Sequence, residues 1–285
     1  MAVYKRGYGK YQGPLTSHSA RVLAFPRMAW QRLMGQRLVL IVLILSLFWP
    51  LGCTGYVYLA NNLDLLKTIG GAAPIFSVDG KFFLVFMNVQ AVFATLLAAL
   101  AGPGLVAPDL ANGALPLYLS RPLSRLDYVA ARLLVLGGML SFVTWVPGLV
   151  LVAMQCGMAG WSWIRPNWSL AAGVLAGFLL WVFLVSFVAL ACSAYVRMRI
   201  IAGALVLGFF FVLAGMAQVL NSVLRVEWAV LINPPRAAYH VWCGLLGVEV
   251  PDGPGPLACG LALAGMTVLL AWVLERKLRP VEVVA

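Results

Sequence analysis

The sequence predicts an all-α, polytopic membrane protein with six transmembrane helices. Three observations carry that expectation. Hydrophobic residues make up 63% of the 285 positions and charged residues only 10%, whereas a soluble domain needs roughly 25% charge to coat its surface. The apolar runs continue for about 20 residues, the length that crosses a bilayer core as helix, and they do not alternate as barrel strands over about 10 residues do. An apolar surface in lipid also forces every backbone amide to pair internally, which a helix achieves within itself.

Residues 1–19 are rich in Gly, Tyr, Lys and Ser and read as an extended cytoplasmic tail. No cleavable signal peptide is expected: seven Lys or Arg fall in the first 37 residues, and no small-residue cleavage site follows the first apolar run. Across 20–37, Arg21, Arg32 and Arg37 interleave with Val22, Leu23, Phe25, Trp30 and Leu33, the pattern of an amphipathic interfacial helix on the inner leaflet. The transmembrane domain occupies 38–279, with spans near 38–60, 81–104, 129–155, 169–194, 200–221 and 257–275. A cytoplasmic loop takes 105–128. Trp161, Trp163 and Trp168 crowd the connection between the third and fourth spans and suit the headgroup level. The outer segment 222–256 is unusually apolar for a loop. It reads as a re-entrant pair of short helices broken at Pro234-Pro235.

Orientation follows from Lys and Arg. Of 20 such residues, 15 lie on the side holding both termini, the 105–132 region and the 195–199 turn, and 5 lie on the other. The positive-inside rule then puts both termini in the cytoplasm of a multi-pass inner-membrane protein. The same distribution, flanking apolar spans rather than forming a stripe on a soluble fold, excludes a nucleic-acid partner despite a net charge of +11.

Several chemistries are excluded. The spans hold no central carboxylate or histidine, only Asn88, Gln90, Gln218 and Asn221 as polar exceptions, which argues against an ion-coupled carrier or a charged channel filter. The two histidines, His18 and His240, lie outside the spans, and neither HExxH nor a paired-Glu metal site occurs, so no metal is expected and no intramembrane enzyme. Five cysteines form no CxxC pair and read as small buried hydrophobes, with a Cys243–Cys259 disulfide on the outer side as the alternative. No G-x-x-x-x-G-K-[ST] occurs. The chain is therefore not expected to hydrolyse ATP, bind a cofactor or act as an enzyme.

The 105–128 loop carries the most information. It reads Pro108-Asp109-Leu110-Ala111-Asn112-Gly113-Ala114-Leu115-Pro116-Leu117-Tyr118-Leu119-Ser120-Arg121-Pro122-Leu123-Ser124-Arg125-Leu126-Asp127-Tyr128. Leu115, Leu117 and Leu119 give a short element an apolar side that needs a partner groove or the membrane surface to cover it, and Ser124 or Asp127 can cap the next helix. This stretch resembles the signature of ABC-2 type transporter permeases, the transmembrane subunits of ABC exporters. That signature has an acidic residue, a Gly-Ala-Leu-like step four residues on, a Ser-Arg-Pro-x-Ser-Arg turn, and an aromatic residue opening the next span. Asp109, Gly113, Leu115, Ser120, Arg121, Pro122, Ser124, Arg125 and Tyr128 match it. The six-span layout, the interfacial helix and the outer re-entrant pair match as well. Leu110-Ala111-Asn112 departs from a stretch that is often charged in the family.

The resemblance implies a cytoplasmic coupling helix that docks on a separate ABC ATPase, present in two copies with its own ATP and Mg. A second permease copy or a paralogue would complete the transporter. Asp109, Gly113, Leu115, Leu117, Ser120, Arg121, Pro122, Arg125 and Tyr128 would be the ATPase-coupling residues. Asp109 would cap the coupling helix or pair with a base, and Arg121 and Arg125 would contact the ATPase. Spans two and five would line the dimer interface, where Asn88, Gln90, Phe93, Phe210 and Gln218 suit the path of a hydrophobic or amphipathic export substrate. A packing or lipid-facing role for Phe209–Phe211 stands beside that reading. So does an ATPase-associated membrane scaffold that transmits force and moves no solute. Gly173-x-x-x-Gly177 reads as a helix-packing step.

Overall fold

Long apolar runs satisfy their amides by coiling on themselves. The computed structural model describes residues 18–62, 77–112, 125–196 and 198–277, and every regular element among them is helical. These are α1 (His18–Met34), α2 (Arg37–Asn61), α3 (Gly80–Ala101), α4 (Pro103–Ala111), α5 (Arg125–Val143), α6 (Trp145–Ala159), α7 (Trp161–Tyr195) and α8 (Arg199–Leu224). A 3₁₀ turn (Trp228–Ile232), α9 (Pro234–Leu246) and α10 (Pro256–Lys277) follow. Six stretches are long and apolar enough to cross a bilayer: Arg37–Asn61, Gly80–Asp109, Asp127–Ala159, Trp161–Tyr195, Arg199–Leu224 and Pro256–Lys277. The helices that begin or end nearest α1 define one end of the bundle, called here the basic end. The 3₁₀ turn and α9 lie at the opposite end.

Two expected boundaries move. The second span does not stop at 104. Pro103 stands at the first position of α4, where its missing N–H costs nothing, so helix runs on through Asp109 and buries Leu105, Val106 and Ala107. The first part of the expected 105–128 loop is thus packed helix. The tryptophan-rich connection also vanishes. Only Gly160, with φ of +82°, separates α6 from α7, because a left-handed glycine reverses the chain in one residue. Trp161 and Trp168 ride the first two turns of α7 and are 79% and 67% exposed.

Packing is uneven. About two thirds of the most apolar stretch of α7 is buried (67%), against 17% for α2 and 22% each for α8 and α10. α7 is the hub, touching α3 to α6 and α8 to α10. Close approach there depends on small residues, as transmembrane interfaces generally do. A Cβ on Gly177 would lie 2.6 Å from Trp242 Cδ1, and one on Gly173 2.9 Å from the Leu245 carbonyl oxygen. The Gly-x-x-x-Gly step therefore seats α9, and the Trp242 indole donates to the Gly177 carbonyl at 3.2 Å. Phe86, Phe178, Trp181 and Trp242 form a chain of tilted and edge-on rings with centroids 5.9–6.3 Å apart, each pair contributing about 0.5–1.5 kcal/mol.

Within 222–256 the chain forms two short helices, the 3₁₀ turn and α9. The break falls at Asn233, whose side chain caps α9 by accepting from the Arg236 amide at 3.4 Å, while Pro234 opens the helix. At its end Gly247 turns left-handed (φ 66°), and the Val248 amide reaches back to the Cys243 carbonyl at 2.9 Å. Cys243 and Cys259 are both buried and unbridged. Burial pushes the Cys243 thiol above its ordinary pKa, partly offset by its bond with Tyr239. At the basic end α1 lies against α5. Its Trp30 indole donates to the Val135 carbonyl at 3.0 Å, Leu33 is buried, and Arg27 and Arg32 remain exposed.

Candidate functional site

Residues 113–124 are bracketed by a polar cluster. Asp109, in the last turn of α4, accepts from the Tyr128 hydroxyl at 2.8 Å and pairs with the Arg132 guanidinium. That guanidinium also lies 5.1 Å from the Tyr128 ring centroid. The side chains of Arg132 and Asp109 are only 10% and 16% exposed. Screening is weak there, and losing one partner would leave a poorly solvated charge. Of the two roles expected for Asp109, the structure shows pairing with a base. The cluster ties residue 109 to residues 128 and 132. Gly113, Leu115, Leu117, Ser120, Arg121 and Pro122 lie outside the described residues. Arg125 opens α5, and its side chain is likewise outside them.

Just above this cluster the helix of the second span is interrupted at Gly102, between α3 and α4. The Pro103 carbonyl and the Ala107 amide would normally bond each other. The buried Ser193 hydroxyl reaches both groups as well, accepting from the Ala107 amide at 2.9 Å and donating to the Pro103 carbonyl at 3.2 Å. A Cβ on Gly102 would lie 2.6 Å from the Ala189 Cβ, so α7 packs closely at this interruption. Arg199, the first residue of α8, donates to the Leu100 carbonyl at 3.0 Å and to the Gln36 side chain. It thereby joins α8, α3 and the α1–α2 turn.

A furrow runs along the face of α3 flanked by α2 and α8. Its inner part, about 630 Å³, extends from Gln36, Arg37 and Arg199 to Leu96 and Leu207. Its outer part, about 530 Å³, shares Leu96 and Leu207 and continues past Asn88 and Phe210 to Trp181, Pro235 and Trp242. Of the five path residues the sequence nominates, Asn88 and Phe210 line it. Asn88 sits half-buried and donates to the Leu84 carbonyl at 2.8 Å. Phe93 packs half-buried against the core, and Gln218 is exposed away from the furrow walls.

Gln90 is elsewhere. It is fully buried, and its Nε2 donates to the Ser46 carbonyl at 3.1 Å and the Val143 carbonyl at 2.7 Å. Both acceptors stand four residues before a proline, Pro50 and Pro147. A proline has no N–H to return, so one amide serves two carbonyls that the prolines leave bare. Gln90 fastens spans one, two and three together rather than lining a path. The residues that sequence reasoning passed over are Ser193, Arg132 and Arg199. Each looks ordinary in the chain, and only the prolines and the glycine nearby signal an open backbone group. No protein-family model matches the chain, and no curated protein matches it.

Proposed function

We infer that this chain is the membrane-spanning permease of an ATP-driven transporter of the ABC-2 kind, with both termini and the basic end in the cytoplasm of a prokaryotic cell. It exports a hydrophobic or amphipathic substrate. The ATP is hydrolysed by a separate pair of ATPase subunits, and two copies of the permease, or one and a paralogue, flank the path.

The observation that supports this reading most is the Asp109–Tyr128–Arg132 cluster. Force applied to the 113–124 segment would reach the helices at this cluster, which lies on the second span. Closure of the ATPases would move the segment, load the cluster, and act on the span where Gly102 already interrupts the helix. Rigid-body movement about such a break is a familiar form of switching. The furrow supports the substrate class, since its walls are apolar over most of its length and Asn88 is a sparse polar exception. Energy must come from a partner, because the sequence carries no phosphate-binding loop.

The test is ATP hydrolysis by the chain with its co-purifying ATPase in proteoliposomes, with candidate amphipathic cargoes added in turn. A cargo that raises hydrolysis several-fold, with the response lost in Asp109→Asn, is the expected result. Hydrolysis indifferent to every cargo, in an intact complex, would favour the force-transmitting scaffold.

A further inference from the structure

We propose that the inner mouth of the furrow binds an anionic phospholipid of the leaflet at the basic end, its phosphate held by Arg37 and Arg199 and an acyl chain lying between α2 and α8. The proposal depends on the spans crossing a bilayer and not on transport.

The polar and apolar residues of the inner furrow are sorted by position. Gln36, Arg37 and Arg199 stand together at one end, and the rest of the lining is aliphatic, including Val42, Leu96, Ala204 and Leu207. That is a headgroup site leading into a tail channel. Basic pockets between membrane helices recognise lipid headgroups in this way.

The charges at the mouth are unneutralised. Arg199 is satisfied only by neutral acceptors, the Leu100 carbonyl and the Gln36 side chain. Arg37 is exposed, and among the described residues no carboxylate pairs with it or with Arg199. A neighbouring hollow of about 440 Å³ shares Gln36 and Arg199 and adds Arg32, which is exposed and also without an acidic partner among the described residues. The carboxylate that faces this region, Asp109, is engaged by Arg132. Three cations therefore converge with no anion supplied by the described protein. Arg37 and Arg199 are also the first residues of α2 and α8, neither of which has a side-chain cap. Two positive helix ends thus add to the same field.

These charges select the occupant. A second copy of this chain carries the same +11 and would bring cations to cations. A phospholipid brings a phosphate to the arginines and a chain to the aliphatic channel, and it is already present at that depth. The arginine stems can lie along apolar surface with their heads at the interface.

Purified full-length chain in mild detergent would be titrated with phosphatidylglycerol or phosphatidylcholine, and retained lipid counted by native mass spectrometry. Wild type should retain phosphatidylglycerol preferentially. Affinity should fall about fivefold for each arginine removed in Arg37→Gln and Arg199→Gln. Ala204→Phe, which obstructs the channel and leaves the charges, should weaken retention too. The Arg37 side chain bonds to none of the described residues, so Arg37→Gln alone decides the matter if Arg199→Gln proves unstable in a melt. Equal retention of the two lipids, or wild-type retention by Arg37→Gln, overturns the proposal. Displacement of the lipid by inorganic phosphate at matched concentration would mean an anion site without a tail channel and overturns it as well. Ala204→Phe that abolishes a dimer while leaving phosphatidylglycerol bound would make the furrow an interface between copies, which also contradicts it.

Discussion

Gln90 shows how one side chain organises a membrane interior. Its amide nitrogen meets the two carbonyls that Pro50 and Pro147 leave without donors. An unmet buried carbonyl costs about 1–3 kcal/mol. Gln90→Leu should therefore lower thermal stability in detergent by a marked amount. The loss should shrink in a Pro50→Ala, Pro147→Ala background, where the backbone regains its own donors. Equal losses in both backgrounds would mean that Gln90 acts through packing alone. The residue also explains a limit of sequence reading. A glutamine inside an apolar span is visible in the chain, and so are the prolines. That they meet depends on the spans' mutual register, which no local pattern encodes. Asn88 and Phe210 line the furrow because spans two and five pack together, a pairing that the chain does not spell out locally. The bond from Asp109 to Arg132 was legible only as one of two options.

At the scale of elements, the six spans were readable because continuous apolar length is a strong signal, and the observed helices differ from the expected ones by a few residues at most ends. The exceptions share a cause. Proline and tryptophan-rich stretches read as breaks, yet Pro103 at a helix start and Gly160 at a one-residue reversal keep the chain helical on both sides. The α7–α9 contact was foreshadowed by Gly173 and Gly177, although the sequence could not say which helix they would admit. Trp242 fills that space. Gly177→Val should force α9 off α7 at a cost of about 1–3 kcal/mol. Intrinsic tryptophan fluorescence should report it as a lower melting midpoint with increased exposure. An unchanged midpoint would show that α9 does not depend on this contact.

For the whole molecule, polarity is the organising asymmetry. Among the described side chains, Arg27, Arg32, Arg37, Arg132, Arg199, Arg276 and Lys277 gather at the basic end, while Lys81, Arg165, Arg225 and Arg236 at the other are matched by Asp79, Glu227, Glu249 and Asp252. In the proposed orientation the basic end is cytoplasmic. Single cysteines at Met28 and Glu249 in a cysteine-free background provide a check. An impermeant maleimide should label 249 in intact cells and 28 only after lysis, and the reverse order would invert the topology.

The proposed role rests on a partner docking at that basic end, and purification in mild detergent with mass spectrometric identification of what accompanies the chain tests it most directly. A stoichiometric soluble protein with a phosphate-binding loop, lost when Arg121 and Arg125 are both changed to Glu, is the expected result. Recovery of this chain alone, or an ATPase that stays bound through both charge reversals, would contradict the coupling assignment and with it the permease reading.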